Sequence, residues 1–392
     1  MNSYDFYAPV RVLFGEGSLK KLHTLEMPGK KALLVISNGK SAKMNGSLAT
    51  TEDELTKAGV SYVIYNGIGA NPLKSAVEEG AKVGRENGAD FVVALGGGSV
   101  MDAAKNIAMF ISQPSDDLWD YTFGPHGGKK VPEKPVLPWI AITTSAGTGS
   151  EADAAGVITN PDTFEKIGVG GFPGMFATYA IVDPKLMKTV PQAYTAYQGF
   201  DALFHSVEGY ISNRHNLMGD MVQRAAIENI GKYLPRAVKD GNDMEARERV
   251  AFANTMSGYS MDVTACTSEH SMEHAMSAYH QHLPHGAGLI MLSREYFSFW
   301  INKHVCDDRF IDMAKFLGKE NATKPEDFIT ALIDLQKACG VDDLKMSDYG
   351  IQKEEAMTLA KNARETMGRL FACDPAETTD EEIAGIYERA YK

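Results

Sequence analysis

Two pairs of residues in the second half of the chain have the spacing of one helical turn and the side chains of a metal site. His270 and His274 lie four apart within Glu269-His270-Ser271-Met272-Glu273-His274. On a helix that spacing stacks both imidazoles on one face. Upstream, Asp201 and His205 repeat it with a carboxylate in the first position. A neutral imidazole nitrogen coordinates cations near neutral pH. Two imidazoles alone do not close a site, but a carboxylate and a further histidine do. Another histidine follows in Leu283-Pro284-His285-Gly286, where Pro284 is expected to end the helix and leave His285 on a turn. One histidine pair on an amphipathic helix is more often core or surface histidine than a ligand pair. Two pairs, one of them acidic, with a Pro-His-Gly turn, shift the reading toward a divalent cation. His280 and His282 crowd the helix end and read as loop histidines.

The first half carries a different chemistry, in turns that follow short apolar runs. Leu95-Gly96-Gly97-Gly98-Ser99-Val100-Met101-Asp102 joins a buried strand to a helix. Glycines let the backbone approach a ligand closely, and a helix N-terminus offers unpaired N–H groups to a phosphate. The turn therefore reads as a pyrophosphate site, although the usual G-x-G-x-x-G is absent. Asp102 is either a helix-stabilising acid or a cofactor contact. Thr143-Thr144-Ser145-Ala146-Gly147-Thr148-Gly149-Ser150-Glu151 puts hydroxyls and glycines at another strand end, where a ribose and phosphates can sit. Ser37-Asn38-Gly39-Lys40-Ser41 ends a third strand without the carboxylate that normally takes the adenosine 2′-hydroxyl. Ser37, Lys40 and Ser41 could receive a 2′-phosphate, though Lys40 reads equally as a plain solvated lysine, so the cofactor expected is NAD(P)H with a weak lean to NADP.

Alternating elements must hold these turns. Residues 31–37, 60–65, 91–95, 139–142 and 179–182 are short apolar runs, with helical spacing over 75–87 and an extra edge strand at 10–14. Continuous apolar strands imply a parallel sheet covered by helices on both faces. Beyond Asp183-Pro184 only helical periodicity remains, over 194–212, 217–233, 244–260, 268–279, 311–317, 325–338, 353–364 and 380–391. The expected organisation is an α/β dinucleotide-binding domain over 1–188 and an all-α metal-binding domain over 189–392, with the active site in the cleft between them.

A net charge of −12 argues against a nucleic-acid partner, which needs clustered cations. The four cysteines, Cys266, Cys306, Cys339 and Cys373, form no C-x-x-C and suit a reducing compartment. Nothing near Met1 has the form of a secretory leader, and no apolar run spans a bilayer. The expectation is a cytoplasmic enzyme of small molecules, without a membrane partner, acting as a homodimer or larger homo-oligomer.

With these pieces assembled, the chain resembles the iron-containing alcohol dehydrogenase family over essentially its full length. The resemblance rests on Gly96-Gly97-Gly98-Ser99 with Asp102, Thr143-Thr144 with Gly147-Thr148-Gly149-Ser150-Glu151, Asp201/His205, and His270/His274/His285-Gly286. It implies that Asp201, His205, His270 and His285 bind one Fe²⁺, or Zn²⁺, and that His274 lies beside the nicotinamide. On the same footing Lys166 is a lysine near the cofactor; read without the resemblance it is a solvated lysine. His274 is the candidate for passing the alcohol proton. Glu208 and Glu273, each three residues after a ligand histidine, are candidates to orient imidazoles. Two departures stand out. The His270–His285 interval is one residue longer than in some members, and the C-terminal motif reads Cys373-Asp374-Pro375 where Asn-Pro is common. Two enzyme rivals share the architecture, dehydroquinate-synthase-like and glycerol-dehydrogenase-like proteins, usually with a smaller ligand set. A non-catalytic dinucleotide-binding assembly protein would need no ligand quartet.

Overall fold

The computed structural model describes residues 2–392. Its strands form in the apolar runs: β1 (Arg11–Phe14), β2 (Lys31–Ser37), β3 (Ser61–Ile68), β4 (Phe91–Gly96), β5 (Trp139–Thr143), β6 (Ala155–Asn160), β7 (Glu165–Gly170) and β8 (Tyr179–Val182). Six of them make one sheet in the order β1-β8-β5-β4-β2-β3, parallel throughout. β4 and β5 are buried at every position because helices cover both faces. The helices of this half are α1 (Ser41–Met44), α2 (Ser47–Lys57), α3 (Lys74–Glu86) and α4 (Gly98–Phe110).

Parallel pairing brings the strand ends that carry the polar turns to one edge. Gly96 pairs with Thr143, and Ile36 with Leu95. The Thr144 N–H donates to the Gly96 carbonyl across the two turns (2.8 Å). β3 and β4 lie on opposite sides of β2, so the chain reverses direction there, which is where α/β sheets open a ligand crevice.

The antiparallel pair β6–β7 is not evident in the sequence as read. Its alternation is broken by Gly156, Gly168 and Gly170, yet it carries Lys166. After Val182 the described chain has no strand. It forms α5 (Gln192–Ile211), α6 (Leu217–Lys239), α7 (Met244–Val263), α8 (Ser268–Tyr279), α9 (His285–Lys303), α10 (Asp307–Phe316), α11 (Glu326–Ala338), α12 (Ala356–Phe371) and α13 (Asp380–Ala390). Local signals set several boundaries. Asn216 caps α6 through the Gly219 N–H, Asp243 caps α7 through Ala246, and Thr379 with Glu382 closes a capping box on α13.

One expectation needs correction. His285 does not sit on a turn but opens α9, directly after Pro284. α8 has already ended at Tyr279, and Pro284, whose fixed φ and missing N–H suit a helix start, stands at the N-cap of α9.

Candidate functional site

α5 and α8 carry the two spaced pairs and are buried along most of their length. Phe200 and Phe204 anchor α5, their rings 5.8 Å apart, and Phe204 meets Phe297 of α9 at 5.9 Å. Each such buried ring contributes about 1.5–3 kcal/mol. The start of α9 runs in backbone contact with α5, because a Cβ on Gly286 would overlap the Tyr197 carbonyl. That contact sets His285 opposite Asp201.

The four residues named from spacing and resemblance come together. Asp201 Oδ1 lies 3.5 Å from His205 Nδ1, 3.5 Å from His270 Nε2 and 3.4 Å from His285 Nε2. Asp201 Oδ1, His205 Nδ1 and His270 Nε2 are buried without a hydrogen-bond partner. A buried unpaired polar atom costs about 1–3 kcal/mol. Donor atoms roughly 2.1 Å from one ion stand about 3–3.5 Å apart. The donor atoms of Asp201, His270 and His285 lie within 4.8 Å of one another, close enough to share one divalent cation, with His205 reaching the same carboxylate oxygen. Although burial raises its pKa, Asp201 is held well below the usual carboxylate range by His205, His285 and His270. Burial pushes His205 down to about 3 despite Asp201 beside it.

Two buried glutamates orient the imidazoles. Glu208 accepts from His270 Nδ1 and Glu273 from His285 Nδ1, which turns both Nε2 atoms toward Asp201. Each glutamate thus serves a histidine on another helix, not the one three residues before it. Lys166 is no solvated lysine. It is 4% exposed and its ammonium donates to Ser277 (2.7 Å), Asn71 (3.1 Å) and Glu273 (3.3 Å).

A cavity of about 550 Å³ lies over this cluster. His274 faces it, with a buried Nδ1 that has no partner. Burial, with Lys166, His285 and His270 close by, drives His274 well below the ordinary histidine range. Ser99, Asp102, Thr148 and Lys166 line the same cavity from the other side. Asp102 takes the Ser150 hydroxyl (2.6 Å) and the Val157 N–H (2.9 Å), so it ties the loop after β5 and the strand β6 to α4. Its carboxyl is raised by burial to about 6. α4 begins at Gly98 with no side-chain cap, leaving its first N–H groups to whatever binds there. A Cβ on Gly97 would come within 2.9 Å of Ser145 Oγ, and one on Gly98 would overlap Thr148, so Gly96-Gly97-Gly98 must be small to pack this turn.

The other residues read as cofactor contacts do not line the cavity. Thr143 is 2% exposed and donates to the Ser145 carbonyl (3.0 Å), and Thr144 is taken up in the turn-to-turn bond. Ser37, Asn38, Gly39, Lys40 and Ser41 lie at the carboxyl end of β2, away from the metal cluster's cavity. His280 pairs with Glu355 (3.2 Å) and His282 is exposed. Sequence reading missed Asn71, Asp262, Arg214 and Arg369 on the cavity wall, since each is a single polar residue with no periodic partner.

Asp374 occupies the place where Asn is common in the resembling family. Its Oδ1 accepts from the Ser268 N–H (2.8 Å) and the Tyr296 hydroxyl (3.2 Å), fixing the start of α8. Burial, with Glu208 adding to it, raises Asp374 to about 7, and its Oδ2 is unpartnered. A raised carboxyl favours folding below its unfolded value, near 4, and loses that contribution as pH climbs through about 7. Asp374→Asn keeps the Oδ1 acceptor and removes the charge. In melting experiments on metal-free protein, its Tm should match the wild type near pH 4 and exceed it at pH 8. The gain is about 1–2 °C for each kcal/mol recovered in a chain of this length. Equal Tm differences at both pH values would show that Asp374 does not ionise in this range.

Comparison with known proteins reaches the whole chain. The profile for "Iron-containing alcohol dehydrogenase" matches residues 9–184, and that for "Fe-containing alcohol dehydrogenase family, C-terminal" matches 195–391. The chain is 30% identical to 1,3-propanediol dehydrogenase of Klebsiella pneumoniae, with 99% of each covered. It is 31% identical to NAD-dependent methanol dehydrogenase of Bacillus methanolicus, covering 98% of this chain and 99% of the relative. Among solved structures, an archaeal halo-thermophilic alcohol dehydrogenase from a Red Sea brine pool superposes with a TM-score of 0.92 at 32% identity, with 100% of each chain covered.

Proposed function

Because the chain belongs to the iron-containing alcohol dehydrogenase family, we propose that it interconverts a small primary alcohol and its aldehyde. Asp201, His205, His270 and His285 hold one divalent ion in this reading, and the carboxyl edge of the sheet holds NAD(P)H. The supporting observation is the convergence of partnerless buried donor atoms on Asp201 Oδ1. One carboxylate and three imidazoles suit Fe²⁺, the ion in the family's name, and also Zn²⁺.

When bound, the metal polarises the substrate oxygen as a Lewis acid and the nicotinamide exchanges the hydride. The chain's own residues do the rest. Glu208 and Glu273 lock His270 and His285 in one tautomer, and Lys166 fixes Glu273. The glycine turn at Gly96-Gly97-Gly98-Ser99 and the uncapped start of α4 receive the pyrophosphate. Thr143, Thr144 and Thr148 shape the neighbouring turn, and Asp102 braces it. His274, at the cavity wall with its Nδ1 unpartnered, is the group placed to pass the alcohol proton; burial and the neighbouring cations keep it neutral and a weak base until a charge develops beside it.

The finer assignments follow the same logic. Ser37-Asn38-Gly39-Lys40-Ser41 holds no carboxylate, and Lys40 is exposed without an ion pair, which favours NADPH over NADH. The division into a cofactor domain (1–188) and a metal domain (189–392) is supported by the end of the strands at Val182 and the start of α5 at Gln192. No helix among the described residues is long and apolar enough to cross a membrane. The four free cysteines support a cytoplasmic location, and we take the working form to be a homo-oligomer.

The test is spectrophotometric. Fe²⁺-loaded protein, prepared anaerobically, is expected to oxidise NADPH, and NADH less well, with short aldehydes, and a chelator is expected to stop it. Bound metal without net cofactor oxidation on any aldehyde would move the assignment to a synthase-like reaction.

A further inference from the structure

The cavity has a second wall that the metal and dinucleotide assignments leave unused. Beyond His270 it is built from Arg214 in the segment after α5, Cys266 in the loop between α7 and α8, and Arg369 and Cys373 at and just after the end of α12. Arg369 reaches across to the β6–β7 hairpin: its Nη2 lies 2.5 Å from where a Cβ on Gly168 would stand. Glycine at 168 therefore leaves the space that the guanidinium fills.

Neither arginine is paired. Arg369 forms no side-chain hydrogen bond or ion pair among the described residues, and Arg214 bonds only through its backbone. Arg224, Arg236, Arg309, Arg364 and Arg389 form ion pairs, whereas Arg11 and Arg249 are, among the described residues, likewise without one but lie on the exposed surface away from this cavity. What sets Arg214 and Arg369 apart is that both line one wall of the same cavity.

Among the described residues no anion pairs with them. Asp201 is committed to the three histidines. Asp262, on the same wall, is raised to about 8 by burial and by Asp153, so it is largely neutral at pH 7. Burial also raises the Cys373 thiol above its ordinary value, so it supplies no anion to them. Both arginines remain open to solvent. Arg369 nevertheless sits deep enough in the concave wall for burial to lower its pKa, with Arg214 adding like charge. A bound oxyanion would relieve both effects.

We propose that Arg214 and Arg369 form an oxyanion subsite, and that the substrate is a short aldehyde or alcohol with a carboxylate or sulfonate at its far end. The proposal rests on the oxidoreductase reading above, which places the reacting oxygen at the Asp201 cluster. A guanidinium grips a carboxylate or sulfonate through paired charge-assisted hydrogen bonds. Attachment at both ends aligns the reacting carbon without adding to the chemistry.

The test uses full-length, metal-loaded protein with reduced nicotinamide cofactor and substrates matched in length: 4-oxobutanoate against butanal, with 3-sulfopropanal as the sulfonate arm. The expected kcat/KM for an anionic substrate exceeds that for butanal by roughly 10–100-fold, the worth of a charged hydrogen-bonded pair. Arg369→Gln and, separately, Arg214→Gln bring that ratio down toward one, and Arg369→Lys restores part of it. Preference for butanal in the wild type, or an unchanged ratio in both glutamine variants, overturns the proposal. Absence of turnover with every aldehyde defeats the reaction assignment instead. The subsite is then decided by calorimetry with succinate: binding weakened roughly 10–100-fold in the glutamine variants supports it, and equal or absent binding overturns it.

Discussion

His285→Ala abolishes metal retention and turnover while the protein still binds the dinucleotide. His285 is the ligand candidate delivered by α9, whose first turn rests against the Tyr197 backbone. Removing its imidazole opens the cluster on one side. It also strands Glu273, which then keeps only Lys166 and its bond to Ser277 as neighbours. An ion held by the remaining donors would exchange with solvent and be lost on desalting. Without a Lewis acid the barrier rises by several kcal/mol, so turnover falls on the order of 10³-fold or more. The glycine turn at Gly96 lies on the sheet side and is untouched, so cofactor affinity measured by fluorescence titration stays within about twofold, a change worth roughly 0.4 kcal/mol. A variant that keeps one metal per chain and full activity would remove His285 from the ligand set.

Gly149→Ala carries the second large effect, through the backbone. Gly149 has φ +63°, a left-handed conformation that costs a residue with a Cβ about 1–2 kcal/mol. The added Cβ would also lie 2.6 Å from Gly258 Cα and 2.8 Å from the Asn254 carbonyl. Gly149 N–H donates to Asn254 Oδ1 (2.8 Å), and Glu151 takes both Asn254 (2.7 Å) and Thr255 (2.9 Å). The loop after β5 is thus locked to α7, backbone against backbone. The expected outcome is a loss of several kcal/mol of stability, well into the tail of point-mutant effects, with poor soluble yield and weakened cofactor binding. Gly149→Asn distinguishes the causes. Asn tolerates positive φ but brings the same Cβ, so it should fail as badly as Ala. Rescue by Asn would show that conformation, not contact, makes glycine necessary.

That lock marks the limit of what the sequence reveals. The central strands were legible because a parallel sheet buried on both faces demands continuous apolar runs, as at Phe91–Gly96 and Trp139–Thr143. Asp201/His205 and His270/His274 were legible because one helical turn is a fixed distance in sequence. The Gly147–Glu151 stretch was readable as a special turn, but its second half serves α7 instead of a ligand, and nothing local announces a partner a hundred residues away. Lys166 shows the same gap: an isolated lysine in a glycine-broken hairpin reads as solvated until Asn71, Glu273 and Ser277 converge on it. Arg214 and Arg369 carry no spacing signal, and only their lack of partners in the folded chain draws notice. His285 was found by type but misplaced by one element, since a proline read as a stop after α8 is instead the residue that starts α9.

Three overlapping groups compete for a cation here. Asp201, His270 and His285 form one; His205, Cys266 and His270 another; Glu273, His274 and His285 a third. The most direct measurement is anomalous diffraction at the iron edge from Fe²⁺-loaded crystals. The account predicts one peak per chain, bounded by Asp201, His205, His270 and His285, with Cys266 and His274 outside the ligand shell. A peak held by Cys266 or by His274, or no peak in protein that turns over aldehyde, would contradict it.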